Sequence, residues 1–166
     1  MVRPTSDRVR EATFNALHSI GVLDGAVVLD LFCGSGALGI EALSRGAARA
    51  VFVDRHLPSI ETTRANLASC GFGERARVVR GDALDHLRAR PEPYDLALLD
   101  PPYEFDEWDD LLGRLDAAVV VIESDRPIEL GSHWDVRRER RYGDTVVTIA
   151  SRADGRSAPD PQESEL

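Results

Sequence analysis

The chain has 166 residues, which suits one domain, and its 43% hydrophobic content is enough for an ordinary core. No apolar run approaches the ~20 residues of a membrane span, and the start shows no signal-peptide stretch. The formal net charge of −9 does not exclude a polyanionic partner, because all 20 basic residues are arginine and they cluster.

The opening stretch RPTSDRVR (3–10) carries Arg3, Arg8 and Arg10, and Val9, Thr13, Ala16, Leu17 and Ile20 recur behind it at helical spacing. A helix over about 5–20 is expected, with Thr5 or Ser6 as N-cap. Five short apolar runs then alternate with helical segments. AVVLDLF (26–32), ARAVFVD (48–54), RARVVRG (75–81), YDLALLD (94–100) and AAVVVIE (117–123) read as strands. Their near-continuous apolarity fits a parallel sheet covered on both faces. GALGIEALSRG (36–46) closes at a glycine, and LPSIETTRANLASCG (57–71) has proline near its start and glycine at its end. DALDHLRA and EWDDLLGRL are shorter helices, and little helix fits between Glu123 and Trp134. WDVRRERRY (134–142) and DTVVTIAS (144–151) form a closing antiparallel hairpin about Gly143-Asp144. One domain over 1–150 is expected, followed by a disordered tail over 151–166, which is polar and aperiodic.

Chemistry-bearing residues gather at the strand ends. Gly34-x-Gly36-x-x-Gly39 lies between the first strand and a helix, where backbone amides and the helix N-terminus approach a ligand closely. A dinucleotide fold is the rival reading of such a loop. Asp30, four residues ahead of Gly34, separates the two. A carboxylate there repels a pyrophosphate and suits a cationic ligand such as S-adenosylmethionine, with its ammonium and sulfonium centres. Asp54 closes the second strand, where a carboxylate takes ribose hydroxyls. Asp82 follows the third and can accept from an adenine amino group, with Ala83 offering a backbone amide. A lone aspartate after a strand is an ordinary turn former; Asp30, Asp54, Asp82 and Asp100 end successive strands.

The fourth strand ends in Asp100-Pro101-Pro102-Tyr103. An aryl amine is a poor nucleophile because its lone pair is delocalised into the ring. The Asp100 carboxylate and the Pro101 carbonyl, held in direction by rigid prolines, can accept the amine hydrogens and stabilise charge that develops as the nitrogen attacks. Tyr103 would stack on the extruded base. The same residues could instead cap a strand. Cys33 and Cys70 form no CxxC pair and the four histidines are dispersed, so no metal is expected, and a reduced cytoplasmic setting fits.

Asp100–Tyr103 resembles the (D/N/S)PP(Y/F) motif of amino-group methyltransferases. RPTSDRVREATFNAL, LDLFCGSGALGIEALSRGA, LLDPPY and RRYGDTVVTIASR together resemble the bacterial small-subunit ribosomal RNA methyltransferase D family over about residues 3–150. The resemblance implies an α/β class I methyltransferase sheet, Rossmann-like and mostly parallel, with strand order 3-2-1-4-5-7-6 and helices on both faces. It implies transfer of a methyl group from S-adenosylmethionine to the N(2) amino group of a guanine in 16S rRNA, free or in a small-subunit particle. A monomer that uses no metal is expected. Cofactor contacts fall on Asp30, Gly34, Gly36, Asp54, Asp82, Ala83 and Thr5, and the target base on Asp100, Pro101, Pro102 and Tyr103. Arg3, Arg8, Arg10, Arg137 and Arg138 are the candidate RNA contacts, although Arg10 can equally serve a helix salt bridge. Family members carry a basic segment ahead of the RPT stretch, whereas this chain begins Met1-Val2-Arg3-Pro4: either the start is truncated, or this member lacks that element and its RNA grip is expected to rest on the remaining arginines. The same elbow would serve an adenine-N(6) or glutamine-amide methyltransferase. A nicotinamide-dependent enzyme or a non-catalytic nucleotide-binding module stands as the alternative of another class.

Overall fold

A computed structural model describes residues 4–155. The chain runs α1 (Pro4–Ile20), β1 (Val27–Leu31), α2 (Ala37–Ser44), β2 (Arg49–Asp54), α3 (Leu57–Cys70), a 3-10 turn (Gly73–Arg75) and β3 (Ala76–Arg80). It continues α4 (Ala83–Ala89), β4 (Tyr94–Leu99), α5 (Trp108–Arg114), β5 (Ala117–Ser124), β6 (Trp134–Tyr142) and β7 (Thr145–Arg152). The seven strands form one sheet in the order β3-β2-β1-β4-β5-β7-β6. β1 to β5 are parallel, and β7 runs antiparallel to both β5 and β6. This is the expected architecture.

The apolar strands alternate their side chains between two cores. Val28, Phe52, Leu96, Leu98, Val119 and Val121 meet Phe14 and Leu17 of α1, Leu43 of α2 and Leu67 of α3. Leu29, Val53, Ala97, Leu99, Val120 and Ile122 meet Leu84 and Leu87 of α4 and Leu111 and Leu112 of α5. Burial on both sides explains why these strands lack polar alternation. At about 25 cal/mol per Å² of apolar surface removed from water, the two layers supply most of the drive to fold.

Two boundaries differ from expectation. The first helix starts at Pro4, which puts Thr5 and Ser6 in its first turn and not ahead of it; proline favours that opening position because its missing N–H would have no helical partner. The last strand runs through Arg152, past the expected edge of the domain. There the Arg152 guanidinium lies 4.5 Å from the Trp134 ring centroid and donates to the Leu115 carbonyl, contacts that carry strand structure into the supposed tail. Residues 156–166 of that tail lie outside the described residues, as do Arg3 and the side chain of Thr5.

Between β1 and β4 the strand order changes direction, with β2 and β3 extending to one side and β4 and β5 to the other. In an open sheet of this kind the loops part there and leave a crevice at the carboxyl ends of the strands.

Candidate active site

That crevice is a cleft of about 620 Å³. Its walls come from the loop after β1 (Phe32–Ser35), the start of α2 (Ala37 and Leu38), the end of β2 (Val53–Arg55), the start of α4 (Gly81–Leu84) and the segment after β4 (Asp100–Pro102 and Glu104–Glu107). Asp54, Asp82, Asp100, Glu104, Asp106 and Glu107 face one arginine, Arg55. Such a lining opposes a pyrophosphate and favours a cation.

The glycine loop is held from both ends. Gly34, at φ 55°, donates its amide to Asp54 Oδ2 at 2.9 Å, and its carbonyl accepts from Thr63 Oγ1 at 2.8 Å. Asn66 Nδ2 donates to the Ser35 carbonyl at 2.9 Å, so α3 clamps the loop through two side chains. Gly36 has φ 82°, and a Cβ there would lie 2.9 Å from Thr63 Cγ2. At Gly39 a Cβ would lie 2.4 Å from the Phe52 ring, so only glycine lets α2 pack this closely on the sheet.

The cleft therefore brings together Gly34, Asp54, Asp82, Ala83, Asp100, Pro101 and Pro102. Asp30, Gly36 and Tyr103 stand outside its lining. Asp30 is 1% exposed and its Oδ2 accepts from the Gly39 amide at 2.9 Å, which fastens the first turn of α2 to β1. Burial pushes its carboxyl well above the usual carboxylate range; the Gly39 bond opposes that shift, and Asp100 and Asp54 add to it. Gly36 shapes the loop against α3. Tyr103 is 48% exposed on the rim, where Arg126 Nη1 donates to its carbonyl at 3.4 Å.

Asp54 uses its second oxygen to accept from the His56 amide at 2.9 Å, and Asp82 caps α4 through Oδ1, which accepts from the Asp85 amide at 3.1 Å. Each carboxylate keeps free lone pairs for a ligand. Loss of water around the Asp100 carboxyl, with the neighbouring Glu123 second, pushes it up to about 7. Cys33 also lines the cleft, but burial, with Asp30 next, raises its thiol to about 12. It stays protonated and is no nucleophile at neutral pH.

Phe32 and Phe105 are wall residues that the sequence reading did not single out. Phe32 adopts φ 62°, rare for a residue with a side chain. Its ring meets Phe105 edge-on at 5.3 Å, and Phe105 meets Trp108 at 5.1 Å. Such a conformation costs about 1–3 kcal/mol and concentrates at functional sites.

The arginines divide. Arg10 pairs with Asp7 at 3.0 Å and Glu41 at 4.0 Å, while Arg8 is exposed on α1. Arg137 donates to Ser151 Oγ at 3.0 Å and sits at the irregularity between Val136 and Arg138. Following the register across β7, Arg138 is level with Val121 and Arg140 with Glu123. Arg140, not singled out from the sequence, thus stands nearer the carboxyl end of the sheet than Arg137 or Arg138. Among the described residues, no helix is long and apolar enough to cross a membrane and no cluster could hold a metal ion.

The family described as Conserved hypothetical protein 95 matches residues 1–151. Ribosomal RNA small subunit methyltransferase D of Escherichia coli strain K12 is 35% identical, over 96% of this chain and 84% of that protein. The same-named protein of Haemophilus influenzae is 32% identical, over 86% and 79%. A solved structure from Escherichia coli, the candidate methyltransferase yhhF, superposes with a TM-score of 0.80 at 34% identity, over 91% of this chain and 88% of that one. With these matches and the acid-lined cleft ending at Asp100–Pro102, the chain belongs to the small-subunit ribosomal RNA methyltransferase D family and is a methyltransferase.

Proposed function

We propose that the protein methylates the N(2) amino group of a guanine in 16S rRNA, with S-adenosylmethionine as donor. One observation carries the reading. A strongly acidic cleft at the switch point of the sheet ends in a diproline corner whose carboxylate, Asp100, opens into it.

The residues present fit that donor. Asp54 suits ribose hydroxyls, and Asp82 with the Ala83 amide suits an adenine edge beside the apolar wall of Phe32 and Phe105. The donor supplies an electrophilic methyl on a sulfonium. Asp100 and the Pro101 carbonyl hold the amine hydrogens, so the nitrogen lone pair points into the cleft. With the donor bound, an N–C bond would form as its C–S bond breaks, the electron pair staying on sulfur. Positive charge passes to the nitrogen, and the Asp100 carboxylate is placed to take the proton it sheds. Proximity and orientation account for much of the rate. Tyr103, on the rim, would stack on the base. The small-subunit RNA substrate comes from the names of the relatives in Escherichia coli and Haemophilus influenzae.

The test is transfer of labelled methyl groups onto small subunits from a strain lacking this methylation, followed by digestion and mapping. Label on the N(2) of one guanine supports the reading. Label on adenine or on protein, or preference for NAD over S-adenosylmethionine in calorimetry, rejects it.

A further inference from the structure

Behind Asp100 lies a second, smaller cavity of about 130 Å³ between α1 and the sheet. Asp100 lines both spaces, and Glu123 lines only the smaller one. Their relation follows from register. Leu99 on β4 is level with Ile122 on β5, so Asp100 and Glu123 come next, side by side on neighbouring parallel strands. Alternation sends both side chains to the α1 face, as it does Leu98 and Val121 before them.

The surroundings of this pair are unusual. Arg10 lines the cavity from α1, but its guanidinium is engaged by Asp7 and Glu41. Thr13, also on α1, donates its hydroxyl to the Val9 carbonyl at 2.7 Å. On the other side, β7 places Val147, an apolar residue, next to Glu123. Among the described residues no donor or cation reaches either carboxylate, and the charged groups that interact with Asp100 are the acids Glu123 and Asp30. With Asp100 exposed and Glu123 half-buried, both carboxylates keep lone pairs open to a ligand that supplies hydrogens to both.

We propose that Glu123 is a specificity-determining residue, whose carboxylate accepts the N1–H of the target guanine while Asp100 accepts from the adjacent 2-amino group. Guanine carries these two donors side by side on one edge. Adenine sets its amino group beside an N1 lone pair, which a second carboxylate repels, and a glutamine amide sets its amino group beside a carbonyl oxygen. The pair of acids thus selects guanine among the amines that the diproline corner alone would accept. The inference rests on the guanine reading above and adds the residue that enforces it.

2-Aminopurine keeps the 2-amino group but has a lone pair at N1, so it isolates the proposed contact. Small-subunit particles are assembled with guanine or 2-aminopurine at the mapped target position, and kcat/KM is measured for each. One hydrogen bond to a charged group corresponds to roughly 10- to 100-fold, the preference for guanine expected of the wild type. Glu123→Gln, whose carboxamide can donate to that lone pair, brings the ratio to within about threefold of unity. Glu123→Asp, which keeps the carboxylate, retains a preference for guanine. A ratio unchanged in Glu123→Gln, with both rates scaled together, overturns the assignment of Glu123. Equal wild-type rates on the two substrates also overturn it while leaving guanine methylation standing. Failure of the wild type on both overturns the guanine reading and the assignment with it.

Discussion

The Asp54 carboxylate accepts the Gly34 amide at 2.9 Å, so the end of β2 fixes the glycine loop that follows β1. Its other oxygen holds the His56 amide at the start of α3. Asp54→Ala removes both bonds together with any ligand contact. Bonds to a charged acceptor contribute about 1.5–3 kcal/mol each, so affinity for S-adenosylmethionine is predicted to fall at least about tenfold. Calorimetry checks this, and a thermal melt should fall by a few degrees. Asp54→Asn, which still accepts one amide, should lie between.

Gly39 is a packing constraint and Gly73 is not. A Cβ at Gly39 meets Phe52 at 2.4 Å, while one at Gly73 meets nothing within 4 Å. Gly39→Ala is predicted to destabilise by about 1–3 kcal/mol through overpacking, and Gly73→Ala to stay within about 1 kcal/mol of wild type. Urea unfolding of the two variants separates them.

Asp100 makes both binding and stability depend on pH. Its folded-state value of about 7 lies above that of an unfolded aspartate. The folded protein therefore holds this proton more tightly, and the stabilisation from it, complete at low pH, is lost as pH rises towards and through 7. The raised carboxyls of Glu123 and Asp30 act with the same sign. Asp100 is exposed to the cleft, so screening reduces the effect to roughly 1 kcal/mol, or about 2–4 °C in melting temperature. At pH 8, Asp100→Asn should melt higher than wild type by about that amount, and near pH 5 the difference should shrink. Binding runs the other way. Affinity for the cationic donor should strengthen as pH rises through 7 in the wild type, and Asp100→Asn should flatten this dependence.

RNA contacts on the hairpin should show in the salt dependence. Arg138 and Arg140 are level with Val121 and Glu123 on the α1 face. Replacing both with alanine is predicted to reduce the slope of log affinity against log salt by about 1.4, at ~0.7 per phosphate contact of a single strand. An unchanged slope assigns them to ordinary surface.

The buried strands β1, β2, β4 and β5 could be read from the sequence because coverage on both faces leaves nearly uninterrupted apolar runs, and β3, at the sheet edge, followed from its place in the alternation. The diproline elbow was legible for a similar local reason, since its stiffness and carboxylate are written in adjacent residues. Depth was not. Asp30 and Asp54 look alike at strand ends, but Asp30 is paired with Phe52 and Leu98 inside the sheet, whereas Asp54 pairs with Arg80 at its open end. That register sends one carboxylate to the α2 backbone and the other to the cleft. Glu123 was invisible because its neighbour Asp100 is 23 residues away in sequence and meets it only through the β4–β5 register. The Phe32–Phe105 contact likewise joins two loops that only the sheet brings together.

The central claim is that the acid-lined cleft holds the methyl donor with its sulfonium facing the diproline corner. A crystal structure of the protein with S-adenosylmethionine tests it most directly. The account predicts the adenosyl group between Asp54 and Asp82, with the methyl directed at the space beside Asp100 and Pro101. A donor bound away from the glycine loop, or with its methyl turned from Asp100, would contradict it.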